Sequence, residues 1–185
     1  MKPTAPYRSE TRRQRYDKRA ESARTIPVSI CAVNFGLDEN LAMTIRSAVC
    51  YGAESVMVIG SVPSDSYLRP RSGTTIGYID IIQFATPHDF IAHCRENAIA
   101  IVSAELCDGA TDLNEFNFNF SKKTVIVTGN EWVGVPAEVI HNSQPVYLNY
   151  GGSGYSLNTA VTSSIILSEF NRQYANHNKV YNATQ

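Results

Sequence analysis

Apolar residues fall along this chain in two alternating rhythms. Short unbroken runs, such as VSICAV at 28–33, SVMVI at 55–59 and TVIVT at 124–128, read as strands buried on both faces. Between such runs, apolar positions recur every three to four residues, as at Leu41, Ile45, Ala48 and Val49, which is helical spacing. The pattern predicts strands at 28–33, 55–59, 79–84, 99–103, 124–128 and 145–149, and helices at 40–51, 87–97, 136–142 and 158–174. Asp38, Glu39 and Asn40 stand at the start of the first helix as cap-like residues. Strands alternating with helices imply an α/β fold, a mostly parallel sheet with helices on both faces. The proline- and serine-rich stretch at 61–77 carries Arg69 and Arg71 and reads as a loop, either substrate-facing or a plain surface connection. Nothing repeats internally.

The chemistry-bearing residues gather where strands end. TGNEWVGVP (128–136) and NYGGSGYSLNTAV (149–161) each follow an apolar run, and ligands in open α/β sheets sit beyond the carboxyl ends of the strands. Either loop taken alone reads first as an ordinary glycine turn, and only the loops together point to a site. A third segment, NFGLDENLAMTIRSAVCYGAESVMVIG (34–60), runs from a strand end into the first helix and carries Arg46. An arginine there is either a solvated helix residue or a phosphate contact, since guanidinium is always charged and matches phosphate oxygens in a bidentate way.

Taken in order, NLAMTIR (40–46), GNEWVG (129–134) and SLNTAV (156–161) resemble the three motifs of the SPOUT superfamily of methyltransferases, in its SpoU/TrmH branch, over roughly residues 26–173. That branch methylates RNA ribose 2′-hydroxyls. Its motifs follow the patterns N-x-G-x-I-x-R, G-x-E-x-x-G and S-L-N with small residues after it. The chain departs from them at Ala42, where the family has glycine, and at Thr44, where it favours an apolar residue. Leu148, Asn149 and Tyr150 stand in place of Ile-Pro-Met on the wall where the adenosine of the cofactor would lie. Trp132 is larger than the usual residue of the second motif, and reads either as a base-stacking platform or as a half-buried loop aromatic.

The resemblance implies a C-terminal trefoil knot, S-adenosyl-L-methionine as cofactor, no metal, and a homodimer with the C-terminal helix in its interface. Ile165, Ile166, Leu167 and Phe170 offer apolar surface for that interface, or equally for an intrachain core. By position, the cofactor contacts fall on Ser103, Ala104, Glu105, Leu106, Gly129, Asn130, Glu131, Leu148 and Leu157. The catalytic group falls on Arg46, with Asn40, Glu131, Ser156 and Asn158 orienting it, the ribose and the loop. A guanidinium is a poor base, so Arg46 is expected to hold a phosphate and polarise the hydroxyl. Glu131, a carboxylate beside RNA phosphates, is expected to need a cation.

A length of 185 residues suits one domain, expected at 26–175 between an arm at 1–25 and a flexible tail at 176–185. The four cysteines are scattered, with no C-x-x-C pair, so neither a zinc site nor a disulfide framework is indicated. No signal peptide and no run approaching the ~20 apolar residues of a membrane span is seen, which makes the cytoplasm the default address. The net charge is only −1, but its placement is uneven: residues 1–25 hold eight Lys and Arg against three acids, a surplus of five, which leaves six negative charges on the rest. Arg8, Arg12, Arg13, Arg15, Lys18 and Arg19, with Arg69 and Arg71, are candidate RNA contacts on this account, and 9–22 a candidate polar helix along a phosphate backbone. The short basic arm together with the likeness to TrmH implies tRNA, with a D-loop guanosine in view, over rRNA. A noncatalytic RNA-binding protein would not need the polar site. An oxidoreductase is suggested only by GGSGYS (151–156), which lacks the G-x-G-x-x-G spacing.

Overall fold

A computed structural model describes residues 11–21, 23–73 and 75–183. Seven strands form one sheet: β1 (Val28–Val33), β2 (Ser55–Ile59), β3 (Asp80–Phe84), β4 (Ala100–Ala104), β5 (Thr111–Asp112), β6 (Thr124–Thr128) and β7 (Gln144–Tyr147). Their order across the sheet is β3-β2-β1-β6-β4-β7-β5, and every pairing is parallel. The continuous apolar runs have the physical cause expected of them. In β1, Ile30 and Ala32 enter one core layer while Cys31 and Val33 enter the other, so no position on the strand is left to solvent.

The helices are α1 (Arg12–Glu21), α2 (Asp38–Tyr51), α3 (Asp65–Arg71), α4 (Pro87–Glu96), α5 (Ala137–His141) and α6 (Thr159–Ala183). Leu41, Ile45 and Ala48 of α2, Leu68 of α3 and Ile166, Leu167 and Phe170 of α6 cover one face of the sheet. Phe90, Ile91 and Cys94 of α4 and Val139 of α5 cover the other. Three of the four apolar α6 residues offered for an interface are thus spent on the core, and Ile165 alone of them faces outward. A Thr86–Asp89 capping box with Pro87 in the first turn starts α4, and Gly52, in the left-handed region at φ 74°, ends α2.

Three expectations are corrected. Residues 61–77 are not one loop: they contain α3 and a short 3-10 helix at Thr75–Tyr78. Arg69 there holds Asp65 through two hydrogen bonds of 2.8 and 2.9 Å, and Arg71 lies 3.6 Å from the Glu39 carboxylate and stacks on the Tyr67 ring. β7 ends at Tyr147, so Leu148 and Asn149 already belong to the following loop. Finally, α6 continues to Ala183, which makes the expected tail helical that far. In the basic arm, α1 falls within 9–22, and the Tyr78 hydroxyl donates to Asp17 at 2.9 Å to tie it to the 3-10 helix. Arg13, Arg15, Lys18 and Arg19 are exposed on it, whereas Arg8 and the Arg12 side chain lie outside what is described.

Thr44 on α2 is fully buried, and its hydroxyl has no hydrogen-bond partner among the described residues. A buried hydroxyl left unpaired costs roughly 1–3 kcal/mol. Thr44→Val, nearly isosteric, is therefore expected to raise the melting temperature, and an unchanged or lower value in calorimetric melting would contradict the burial argument.

Candidate active site

Strands β1, β6, β4 and β7 are neighbours, so the loops leaving their carboxyl ends converge on one edge of the sheet. They enclose a cleft of about 610 Å³. Ala104, Glu105 and Leu106 after β4, and Gly129, Asn130 and Glu131 after β6, line it as the sequence predicts. Leu148, Ser156 and Leu157 close it from the loop between β7 and α6. Ser103 does not belong to the cleft: it is fully buried in β4 and its hydroxyl is hydrogen-bonded to Ser143 at 2.7 Å. Strand alternation accounts for its placement, because a side chain one step before the strand end points into a layer rather than over the edge.

The β6 loop is held tightly. Asn130 and Gly134 form an antiparallel bridge, and the Asn130 side chain accepts from the backbone N–H groups of Trp132 and Val133 at 2.9 and 3.2 Å. Its amide donates to the Asn34 carbonyl at the end of β1. Glu105 braces the other side, accepting from Val135 N–H at 2.9 Å.

Glu131 is the hub of the site. One carboxylate oxygen accepts from Gly36 N–H at 2.8 Å and the other from the Asn40 amide. Asn40, 4% exposed, accepts in turn from the Asn158 amide at 3.0 Å. The Asn158 side-chain oxygen accepts from Ala160 and Val161 N–H at 2.9 and 3.3 Å and so caps α6. One chain of contacts therefore ties all three motif segments. No cation is needed beside Glu131, because it sits where the backbone N–H groups at the start of α2 point and the helix dipole is positive. Burial pushes the Glu131 carboxyl up, but donation from Gly36, Asn40 and the loop backbone outweighs it and holds the group below its ordinary value of 4.5.

That depression fixes the sign of a pH effect. A carboxyl with a lowered folded pKa contributes stability that is present above its unfolded pKa and lost as pH falls through the folded one. Glu131→Gln should melt lower than wild type at pH 7, with the gap closing as pH is brought down from about 4.5; melting curves that stay parallel from pH 7 to pH 3 would show that the carboxylate is not held this way.

Arg46 and Ser156 stand outside the network. Arg46 is exposed on α2 and has no hydrogen-bond or ion-pair partner among the described residues. Ser156 is exposed at the cleft rim. Two anchoring residues escaped the sequence reading: Gly36, marked only by its place in the turn before α2, and Thr159, directly after the third motif, whose hydroxyl donates to the Gly129 carbonyl at 3.0 Å. Among the described residues no group of three His, Cys, Asp or Glu is placed to hold a metal ion, and no helix is long and apolar enough to cross a membrane.

Comparison with known families places this arrangement. The model of the SpoU rRNA Methylase family matches residues 27–168. The chain belongs to that family. Its SpoU region is 26% identical over 150 residues to the tRNA (guanosine(18)-2′-O)-methyltransferase of Escherichia coli (strain K12), covering 80% of this chain and 65% of that enzyme. The SpoU fold superposes on the A. aeolicus TrmH/SpoU tRNA modifying enzyme with a TM-score of 0.74, at 20% identity, over 88% of this chain and 85% of the other. The AdoMet-bound rRNA methyltransferase from Sinorhizobium meliloti superposes with a TM-score of 0.72 at 26% identity, over 78% of this chain and 56% of the other.

Proposed function

We propose that this SpoU family member is an S-adenosylmethionine-dependent RNA methyltransferase that modifies a ribose 2′-hydroxyl, with tRNA as its substrate. The observation that carries the reading is the Glu131–Asn40–Asn158 chain, which joins the three motif segments at the edge of the cleft. The cleft suits the cofactor: about 610 Å³ is ample for a ligand of that size, with loop backbone on one side and Leu106, Leu148 and Leu157 to flank an adenine. Bound there, S-adenosylmethionine supplies an electrophilic methyl on a sulfonium. The protein's own part is to align the acceptor and ease loss of its proton. Glu131, Asn40 and Asn158 hold the loops in register, Ser156 offers a hydroxyl at the rim, and Arg46 grips a phosphate and polarises the ribose hydroxyl. Calorimetric binding of S-adenosylmethionine, with and without chelator, and mapping of 2′-O-methyl sites in cellular RNA with and without the protein, test the reading. It is overturned if the cofactor does not bind and every 2′-O-methyl site persists without the protein.

The name of the Escherichia coli relative supports tRNA and a guanosine target; the Sinorhizobium meliloti structure keeps rRNA as the second reading. A cytoplasmic setting goes with either. The return of the chain from β7 across β4 to α6, which packs on β6, supports the trefoil knot. Met43 on α2 and Val161 and Ile165 on α6 form an exposed apolar strip on two packed helices, the surface for a homodimer, checked by sedimentation. If the exposed cations of α1 meet phosphates, deletion of residues 1–25 should weaken RNA binding and flatten its salt dependence, by about one unit of log–log slope for each phosphate no longer held, while cofactor affinity stays put. An unchanged slope would leave α1 without a role in RNA binding.

A further inference from the structure

Trp132 is the single tryptophan of the chain, and it is 73% exposed at the rim of the cleft. Its position is nonetheless fixed. One side of the indole lies against Gly36, so closely that a Cβ added there would fall 1.7 Å from the ring. Its backbone is pinned by the Asn130 side chain within the bridged Asn130–Gly134 turn, and Asn130 is itself tied to Asn34. Gly36 also donates to Glu131, the neighbour of Trp132 in sequence and the hub of the site. The result is an aromatic ring backed by rigid main chain on one side and open on the other. Tyr155, 99% exposed on the same rim, has no such backing.

An exposed indole on a rigid turn gives up apolar surface to water for no folding gain. Its open face matches the chemistry of an unpaired nucleobase, which stacks on aromatic side chains without demanding sequence, whereas bases inside a duplex have their faces covered by the neighbouring pairs. Resting on the reading of the site as an RNA methyltransferase, we propose that Trp132 is the stacking platform for an unpaired base of the RNA beside the modified ribose. The missing Gly36 side chain is part of the device, since a methyl group there would evict the ring.

Because no other tryptophan contributes, emission excited at the long-wavelength edge, where the ten tyrosines absorb little, reports this ring alone. The full chain, saturated with S-adenosylhomocysteine, is titrated with unmodified tRNA and rRNA transcripts. Quenching on RNA addition is expected. Trp132→Ala should raise the RNA dissociation constant roughly 5- to 100-fold, the range base stacking gives, with Trp132→Phe between it and wild type. The melting temperature and S-adenosylmethionine affinity of Trp132→Ala should match wild type. Gly36→Ala keeps the fluorophore but displaces it, and should lose both the quenching and the RNA affinity. Emission that ignores saturating RNA, or unchanged RNA affinity in Trp132→Ala, overturns the proposal. So does quenching by S-adenosylmethionine alone with cofactor affinity lost in Trp132→Ala, which would make the ring part of the cofactor wall. Failure of the methyltransferase reading shows separately, as absence of cofactor binding in the wild-type chain whatever RNA does to the emission.

Discussion

Arg46→Ala is expected to fold like the wild type, bind S-adenosylmethionine like the wild type, and lose most methyl transfer. The first half follows from its surroundings: the side chain is exposed and has no partner among the described residues, and surface substitutions of that kind usually move stability by less than about 0.5 kcal/mol. The second half follows from the proposed role, in which that uncommitted charge grips a phosphate of the substrate beside the reacting ribose. Removing one donor that stabilises charge developing in a transition state typically costs about 10²–10³ in rate. Arg46→Lys should recover little, because an ammonium does not reproduce the planar fork. Single-turnover assays at saturating RNA separate a chemical defect from weak binding. Wild-type turnover in Arg46→Ala under those conditions would make the residue a solvated helix arginine.

Gly129→Ala should damage the site through the backbone instead. The added methyl would lie 2.2 Å from the Gly134 carbonyl carbon and 2.4 Å from the Val135 nitrogen, both main chain in a turn closed by the Asn130–Gly134 bridge. Main chain held at both ends cannot step aside as a flexible side chain does. Overpacking of this sort costs roughly 1–3 kcal/mol, or about 2–4 °C of melting temperature per kcal/mol in a domain of this size. Because the strained turn lines the cleft, cofactor affinity should fall with stability. Gly151→Ala is the control: it meets nothing within 4 Å and should leave both unchanged. Equal behaviour of the two variants in calorimetry would remove the case for a rigid turn.

The sequence reading was surest where burial leaves the chain little choice. β1, β2 and β6 are buried along their whole length, and their unbroken apolar runs announce it. The three motif loops converge because parallel strands deliver their carboxyl ends to one edge. Other features left no local trace. α3 hides behind Pro70 and its serines, since the proline falls in the last turn of a helix whose stability comes from Leu68 in the core and from the Arg69–Asp65 pair. The far end of α6 is too polar and asparagine-rich to read as helix from its pattern. Ser103, one step back in β4, turns its side chain into the sheet's packing, so only its main chain is near the strand end. That Glu131 would be satisfied by the start of α2 rather than by a cation was beyond reach, because the two lie 95 residues apart and only the sheet order brings them together.

That order also has a consequence for how the molecule is made. β6 sits between β1 and β4, and β4 between β6 and β7, so β4 is synthesised before either of its hydrogen-bonding neighbours. The β1-β2-β3 half pairs with strands adjacent in the chain and can assemble early. The other half must wait, with apolar Ile101 and Val102 uncovered, until β6 has followed it out of the ribosome and the loop from β1 to β6 can close. Pairings between strands so distant in sequence are slow to form. The same insertion that brings three loops to one cleft thus makes its completion a late event in folding, and the interval before it is when this chain has most to gain from a chaperone.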